Sequence, residues 1–178
     1  MDIPGSKAIF VGGASGMCRA TATEFAGKGG QVSILDLESS DGAAVAEELG
    51  GKFYPCNVMD YDGMADVMDS AVSDMGGLHY VVNTAGGGGA QRTLKKDGTR
   101  HSLSDFRRVI DLNLIASFNI NGIAAEHMAK NEPNADGERG VMINTASIAA
   151  FEGQIGQVSY TAAKAGIAGM TLTMARDL

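Results

Sequence analysis

Two cysteines, three histidines and three prolines are all that 178 residues contain, and each shortage excludes something. One pair of cysteines, Cys18 and Cys56, cannot build a disulfide framework, and neither has a His or Cys at metal-ligand spacing. Both therefore read as small buried hydrophobes in a reducing compartment. His79, His101 and His127 are scattered too widely to suggest a metal site. No apolar run approaches the roughly 18 residues of a membrane span. The opening Met1-Asp2-Ile3-Pro4 has neither a signal-peptide core nor an Arg-rich transit sequence, so a cytoplasmic, non-membrane protein is expected. Positive charge is also short. Against 21 Asp and Glu stand 14 Lys and Arg, a net charge of −7, which argues against a nucleic-acid partner but not against a small anionic ligand held by a few local donors.

What is abundant is glycine, 25 residues, which points to tight turns and close backbone approaches. Short apolar runs alternate with helical patterns. Ala8 to Val11, Gln31 to Leu35, Tyr80 to Val82 and Val141 to Ile143 read as buried strands, and Lys52 to Cys56 as a weaker one. Helices are expected over 17–28, over 41–49 with Asp41 as cap, over 62–75, over 104–130 with Ser102 and Asp105 as a capping box, and from Ser159 onward. Asn131 to Gly137 is a loop. There is no repeat, low-complexity tract or linker, so one doubly wound α/β domain covering 1–178 is expected, a parallel sheet with helices on both faces and right-handed crossovers.

Three places carry chemistry. Where the first strand turns into the first helix, Gly12, Ser15 and Gly16 would let a pyrophosphate approach the backbone and the free N–H groups of a helix N-terminus, although a tight structural turn has the same pattern. Asp36 ends the second strand, twenty residues after Gly16, where a carboxylate can bond a ribose 2′-hydroxyl and repel a 2′-phosphate; the alternative is a solvated loop aspartate. On the last helix Tyr160 and Lys164, four apart, share a face, so an ammonium could favour the phenolate of a tyrosine that otherwise titrates near about 10. Ser147 follows the strand at 141–143, where a hydroxyl can meet a substrate oxygen as charge develops. Asn113 is a further polar residue within apolar Leu112-Asn113-Leu114-Ile115, and a helix kink or a satisfied buried amide accounts for it as well as a functional role does.

Taken together, Gly12-Gly13-Ala14-Ser15-Gly16, Asn83-Thr84-Ala85-Gly86, Asn113, Ser147 and Tyr160-Thr161-Ala162-Ala163-Lys164 resemble the short-chain dehydrogenase/reductase family over essentially the whole chain. The stretch Ile143 to Gln154 is similar to its 3-hydroxyacyl-CoA and hydroxysteroid branch. The resemblance implies a Rossmann-type fold and NAD-dependent hydride transfer at a secondary alcohol. Tyr160 would be the acid–base, Ser147 would hold the substrate oxygen, and Lys164 would hold the nicotinamide ribose. Asn113 would hold a water in a proton relay. Ser15 and Met17 would contact the pyrophosphate and nicotinamide side, Asp36 the adenosine ribose, and Asn57 and Val58 the adenine, with Asn83, Thr84, Ala85 and Gly86 lining the cofactor's path. A homotetramer is implied as well.

Val11 stands where the family usually has Thr, Cys18 at the third glycine position, and Asn57 where Asp is usual. A thiol at position 18 is expected to need a slight shift of helix against strand. The family's further strands and substrate loop are expected to be missing past Leu178, leaving Val141 to Thr145 as an exposed edge. Two other functions compete: a nucleotide-binding module without turnover, and a carbonyl or 3-oxoacyl reductase, against which Asp36 speaks because many of those use NADP.

Overall fold

The computed structural model describes all 178 residues. The elements run β1 (Lys7–Val11), α1 (Gly16–Gly27), β2 (Gln31–Asp36), α2 (Gly42–Glu48), β3 (Lys52–Pro55), α3 (Tyr61–Met75) and β4 (Tyr80–Asn83). Then follow α4 (Leu103–Ile110), a π-helical turn (Asp111–Ile115), α5 (Ala116–Met128), β5 (Val141–Asn144), a short 3-10 turn (Ile148–Ala150) and α6 (Val158–Asp177). No helix is long and apolar enough to cross a membrane. Contacts group the chain into two units, one of residues 1–85 and 119–143 and one of residues 86–118 and 144–178.

The first unit holds the sheet, in the order β3-β2-β1-β4-β5. β1 pairs in parallel with β2 and β4, and β2 with β3, while β5 joins at the edge through Val141 N–H donating to His79 O (2.8 Å). Its central strands are apolar on both faces because both faces are covered. On one, Phe10, Ile34 and Val82 pack with Cys18, Ala22 and Phe25, and the rings of Phe10, Phe25 and Tyr80 meet edge to face at 5.7 and 5.2 Å. Ile9, Val11, Leu35 and Val81 alternate with these and are equally buried, as are Met64 and Met68 of α3 and Ile120 and Ala124 of α5. At the β5 edge Ile143 is half exposed.

The second unit is built around α6. Ser159, Ala163 and Ile167 recur every four residues and form its buried face, with Lys164 beside them. A β-carbon at Gly166 would stand 2.7 Å from Leu114, so α6 lies close against the π turn.

The continuous helix expected over 104–130 is three pieces. The cause is Asn113, whose Nδ2 donates to Val109 O (2.8 Å), the carbonyl that an α-helical backbone at this position would use. The bond favours the wider π turn, and the satisfied-amide reading of Asn113 holds. The capping box is half formed. Ser102 Oγ accepts from Asp105 N (3.3 Å), but Ser102 N donates to Gln91 Oε1 (2.8 Å) and the Asp105 carboxylate is taken by Gln91 as well. Asp41 stands before α2 but makes no side-chain cap bond. Asp60, not picked out from the sequence, caps α3 through Gly63 N.

Candidate active site

In the first unit the sheet order reverses between β1 and β4, and an open parallel sheet leaves a crevice at the carboxyl ends of strands flanking such a reversal. The glycine turn lies there. Gly12 has φ +78, and a β-carbon on it would stand 3.0 Å from Ala85 N and 3.1 Å from Thr84 Oγ1, so the turns after β1 and β4 touch. Gly12 and Gly13 donate their N–H to Leu35 O (2.8 and 3.2 Å). Ser15 is exposed at the N-cap of α1 and makes no side-chain cap bond, and Met17 is exposed on the first turn.

Asp36 is integral to this turn rather than a solvated loop residue. Its Oδ2 accepts from Ala14 N (3.0 Å) and its Oδ1 from Leu37 N (2.8 Å), which fixes the plane of the carboxylate and leaves a lone pair on each oxygen. Asn57 follows β3, exposed, with Oδ1 accepting from Met59 N (3.0 Å), and Val58 is buried beside it. Asn83 is buried at the end of β4, and its Oδ1 accepts from Ala85 N (3.1 Å). Cys18 is fully buried, and its thiol donates to Val11 O (3.4 Å).

A second cluster lies within the second unit. Lys164 is 4% exposed, and its Nζ donates to Thr145 O (2.7 Å) and lies 5.6 Å from the centre of the Tyr160 ring. Burial holds its pKa below the usual ammonium range. Asn113 is fully buried. Its Oδ1 accepts from Gly87 N (3.1 Å) and its Nδ2 donates to Gly87 O (2.6 Å) as well as to Val109 O. Both amide protons are thus committed to the backbone, and Asn113 O accepts from Ser117 Oγ (2.6 Å). A β-carbon at Gly86 would meet both Asn113 Oδ1 (2.5 Å) and Lys164 Nζ (3.6 Å), so one glycine borders the two groups. Ser147 caps the 3-10 turn by accepting from Ala149 N (3.2 Å), and its own O–H is left to donate.

Sequence reasoning missed Thr145 O, a backbone acceptor with no side-chain signature, and the cavity of about 610 Å³ lined by Thr93, Arg100, His101, Ser102, Leu103, Phe106 and Val158. No group of three or more His, Cys, Asp or Glu could hold a metal ion.

The family model described as short chain dehydrogenase matches residues 6–178. The chain belongs to the short-chain dehydrogenase family. It is 45% identical over 179 residues to 3-hydroxyacyl-CoA dehydrogenase type-2 of Drosophila melanogaster, covering 99% of this chain and 70% of that protein. The crystal structure of 3-hydroxyacyl-CoA dehydrogenase type-2 from Mycobacterium avium superposes with a TM-score of 0.92 at 41% identity, over 98% of this chain and 69% of that one. A 7α-hydroxysteroid dehydrogenase complexed with NADH and 7-oxo glycochenodeoxycholic acid superposes with a TM-score of 0.84 at 30% identity, over 98% and 66%. The chain is thus a short-chain dehydrogenase of Rossmann-like fold, similar over nearly all its length to oxidoreductases and spanning about 70% of theirs.

Proposed function

We propose that this short-chain dehydrogenase oxidises the secondary alcohol of a 3-hydroxyacyl thioester of coenzyme A with NAD, and reverses the reaction, using Tyr160 as acid–base. The observation that carries the chemistry is Lys164: a buried ammonium, partnered by a carbonyl and no carboxylate, one helical turn from a tyrosine. Burying a cation without an anion destabilises a fold by several kcal/mol on general grounds, and such groups concentrate where function requires them.

Each side chain has a task within this reading. Tyr160 Oη takes the alcohol proton, and the Ser147 O–H holds the substrate oxygen as negative charge develops. The two Lys164 protons not given to Thr145 O would hold ribose hydroxyls. Asn113 orders the backbone at Gly87, and its side chain has no proton left for a relay water. NAD fits the first unit's turn: a β-carbon on Gly16 would have nothing within 4 Å, α1 presents free N–H groups, and Asp36 offers oriented acceptors to a ribose diol and repels a 2′-phosphate. When bound, NAD supplies the acceptor for the hydride.

The substrate class rests on the relatives' names and on charge. Residues 92–108 carry six of the chain's 14 cations (Arg92, Lys95, Lys96, Arg100, Arg107, Arg108) against Asp97 and Asp105, a net +4 in a chain of net −7. None of the six is in an ion pair. Arg100 also lines the 610 Å³ cavity with apolar Leu103, Phe106 and Val158. A long thioester ending in phosphates suits this stretch better than an uncharged sterol.

The test is initial rates with NAD on 3-hydroxybutyryl-CoA and on a hydroxysteroid, at low and high salt. Preference for the thioester, weakening with salt, supports the reading. Preference for the steroid overturns the substrate class. Saturable NAD binding with no turnover of either would mean a nucleotide-binding protein without catalysis.

A further inference from the structure

We propose that Gly88 and Gln91 are positioning residues for Tyr160: the backbone at Gly88 seats the tyrosine ring, and Gln91 holds that backbone in place. The inference rests on Tyr160 being the acid–base group.

Four glycines run from Gly86 to Gly89, and the structure accounts for them differently. Gly86 has φ +156 and faces Asn113 Oδ1, so both its conformation and its surroundings require glycine. Gly87 meets Asn113 through its own N–H and C=O. Gly88 has no left-handed φ, yet a β-carbon there would stand 2.9 Å from Tyr160 Cδ2 and 3.3 Å from its Cβ and Cγ. These atoms form the root of the ring and are anchored on α6, so they cannot swing aside as a flexible tip would. Gly89 has neither a left-handed φ nor any atom within 4 Å of such a carbon. The missing side chain at position 88 is therefore a demand of Tyr160 and not of the local chain.

A run of glycines loses more conformational freedom on ordering than any other sequence and keeps one path only if it is tied down. Asn113 ties it at Gly87. Gln91 ties the other end three times. Its N–H donates to Gly156 O (2.9 Å), four residues before Tyr160; its Oε1 accepts from Ser102 N (2.8 Å); and its Nε2 donates to Asp105 Oδ2 (3.3 Å). Gln91 thus joins the approach to α6 to the first turn of α4, which explains why the Ser102 capping box is left half formed.

The test compares G88A, G89A, Q91E and the double variant Q91E/D105N, using ring-13C-labelled tyrosine with the Tyr160 resonances assigned through Y160F. NADH binding and turnover are followed in parallel. G88A is expected to move the Tyr160 resonances and lower kcat between about tenfold and a hundredfold, the scale of a misplacement near 1 Å, with NADH affinity within about twofold. G89A should leave all three unchanged. Q91E sets a carboxylate against Asp105 and should reproduce part of the G88A effect. Q91E/D105N restores a donor and acceptor pair and should recover it, which general destabilisation would not. Unmoved resonances in G88A, equal effects in G88A and G89A, or no recovery in the double variant would each overturn the proposal. Absence of turnover in the unmodified chain would instead sink the acid–base reading and leave the resonances to decide the seating of the ring.

Discussion

Replacing Gly12 by Ala tests whether the turn after β1 is shaped by its contact with the turn after β4 or merely by the need to bend. Gly12 lies at φ +78, where an L-residue costs roughly 1–2 kcal/mol. Part of that, about 0.4–1 kcal/mol, is offset because alanine narrows the unfolded ensemble. Gly50 supplies the control: its φ is +66, and an added β-carbon would meet nothing within 4 Å. G50A should therefore cost about 0–1.5 kcal/mol. G12A bears the same strain and, in addition, must push Ala85 N at 3.0 Å and Thr84 Oγ1 at 3.1 Å. Overpacking of this kind costs typically about 1–3 kcal/mol. At about 2–4 °C per kcal/mol for a chain of this size, G12A should melt roughly 2–12 °C below G50A. Thermal unfolding of both variants, with and without NAD, gives the comparison, and NAD should protect G50A and fail to protect G12A. Equal melting temperatures and equal protection would refute the claim that the two turns are in contact and that the contact serves the cofactor.

Asp36→Ala should raise NADP affinity relative to NAD by at least tenfold, since it removes both the diol acceptors and the repulsion of a 2′-phosphate; unchanged preference in paired fluorescence titrations would count against the ribose role. Lys164→Met should abolish turnover and also alter the pH dependence of stability. Burial depresses the folded pKa of Lys164 below the unfolded value of about 10.4, so in that window the unfolded chain binds more protons and the native chain gains stability as pH rises. Urea unfolding between pH 8 and 10 should show wild type gaining on K164M with pH, and a flat or falling difference would remove the buried-ammonium argument. Burial pushes the thiols of Cys18 and Cys56 up to about 11, so in the native chain both should react with a disulfide reagent at pH 8 far more slowly than in denaturant. Rapid labelling without unfolding would place either thiol elsewhere.

The strands and most helices could be read from the sequence because their signals are local. Continuous apolar runs mark strands covered on both faces, and 16–27, 42–48 and 61–75 fall within a residue or two of the expected helices. The glycine turn and Asp36 were legible for a related reason: their spacing along the chain follows from a strand, a turn and a helix of ordinary length. Tyr160 and Lys164 were legible because one helical turn separates them.

Residue types and spacings thus determined the element order, the glycine turn and the tyrosine–lysine pair. Tertiary structure alone decided the rest, because it depends on atoms far apart in the chain. Asn113 widens its helix into a π turn and commits its amide to Gly87, 26 residues away, which no periodicity records. Asp105 looks like half of a capping box until Gln91 takes its carboxylate. Lys164 is held by Thr145 O, a backbone group that any residue type could present. Of four identical glycines only one carries the ring of Tyr160, since identity sets what a residue can do but the packing of another helix sets what it must leave room for.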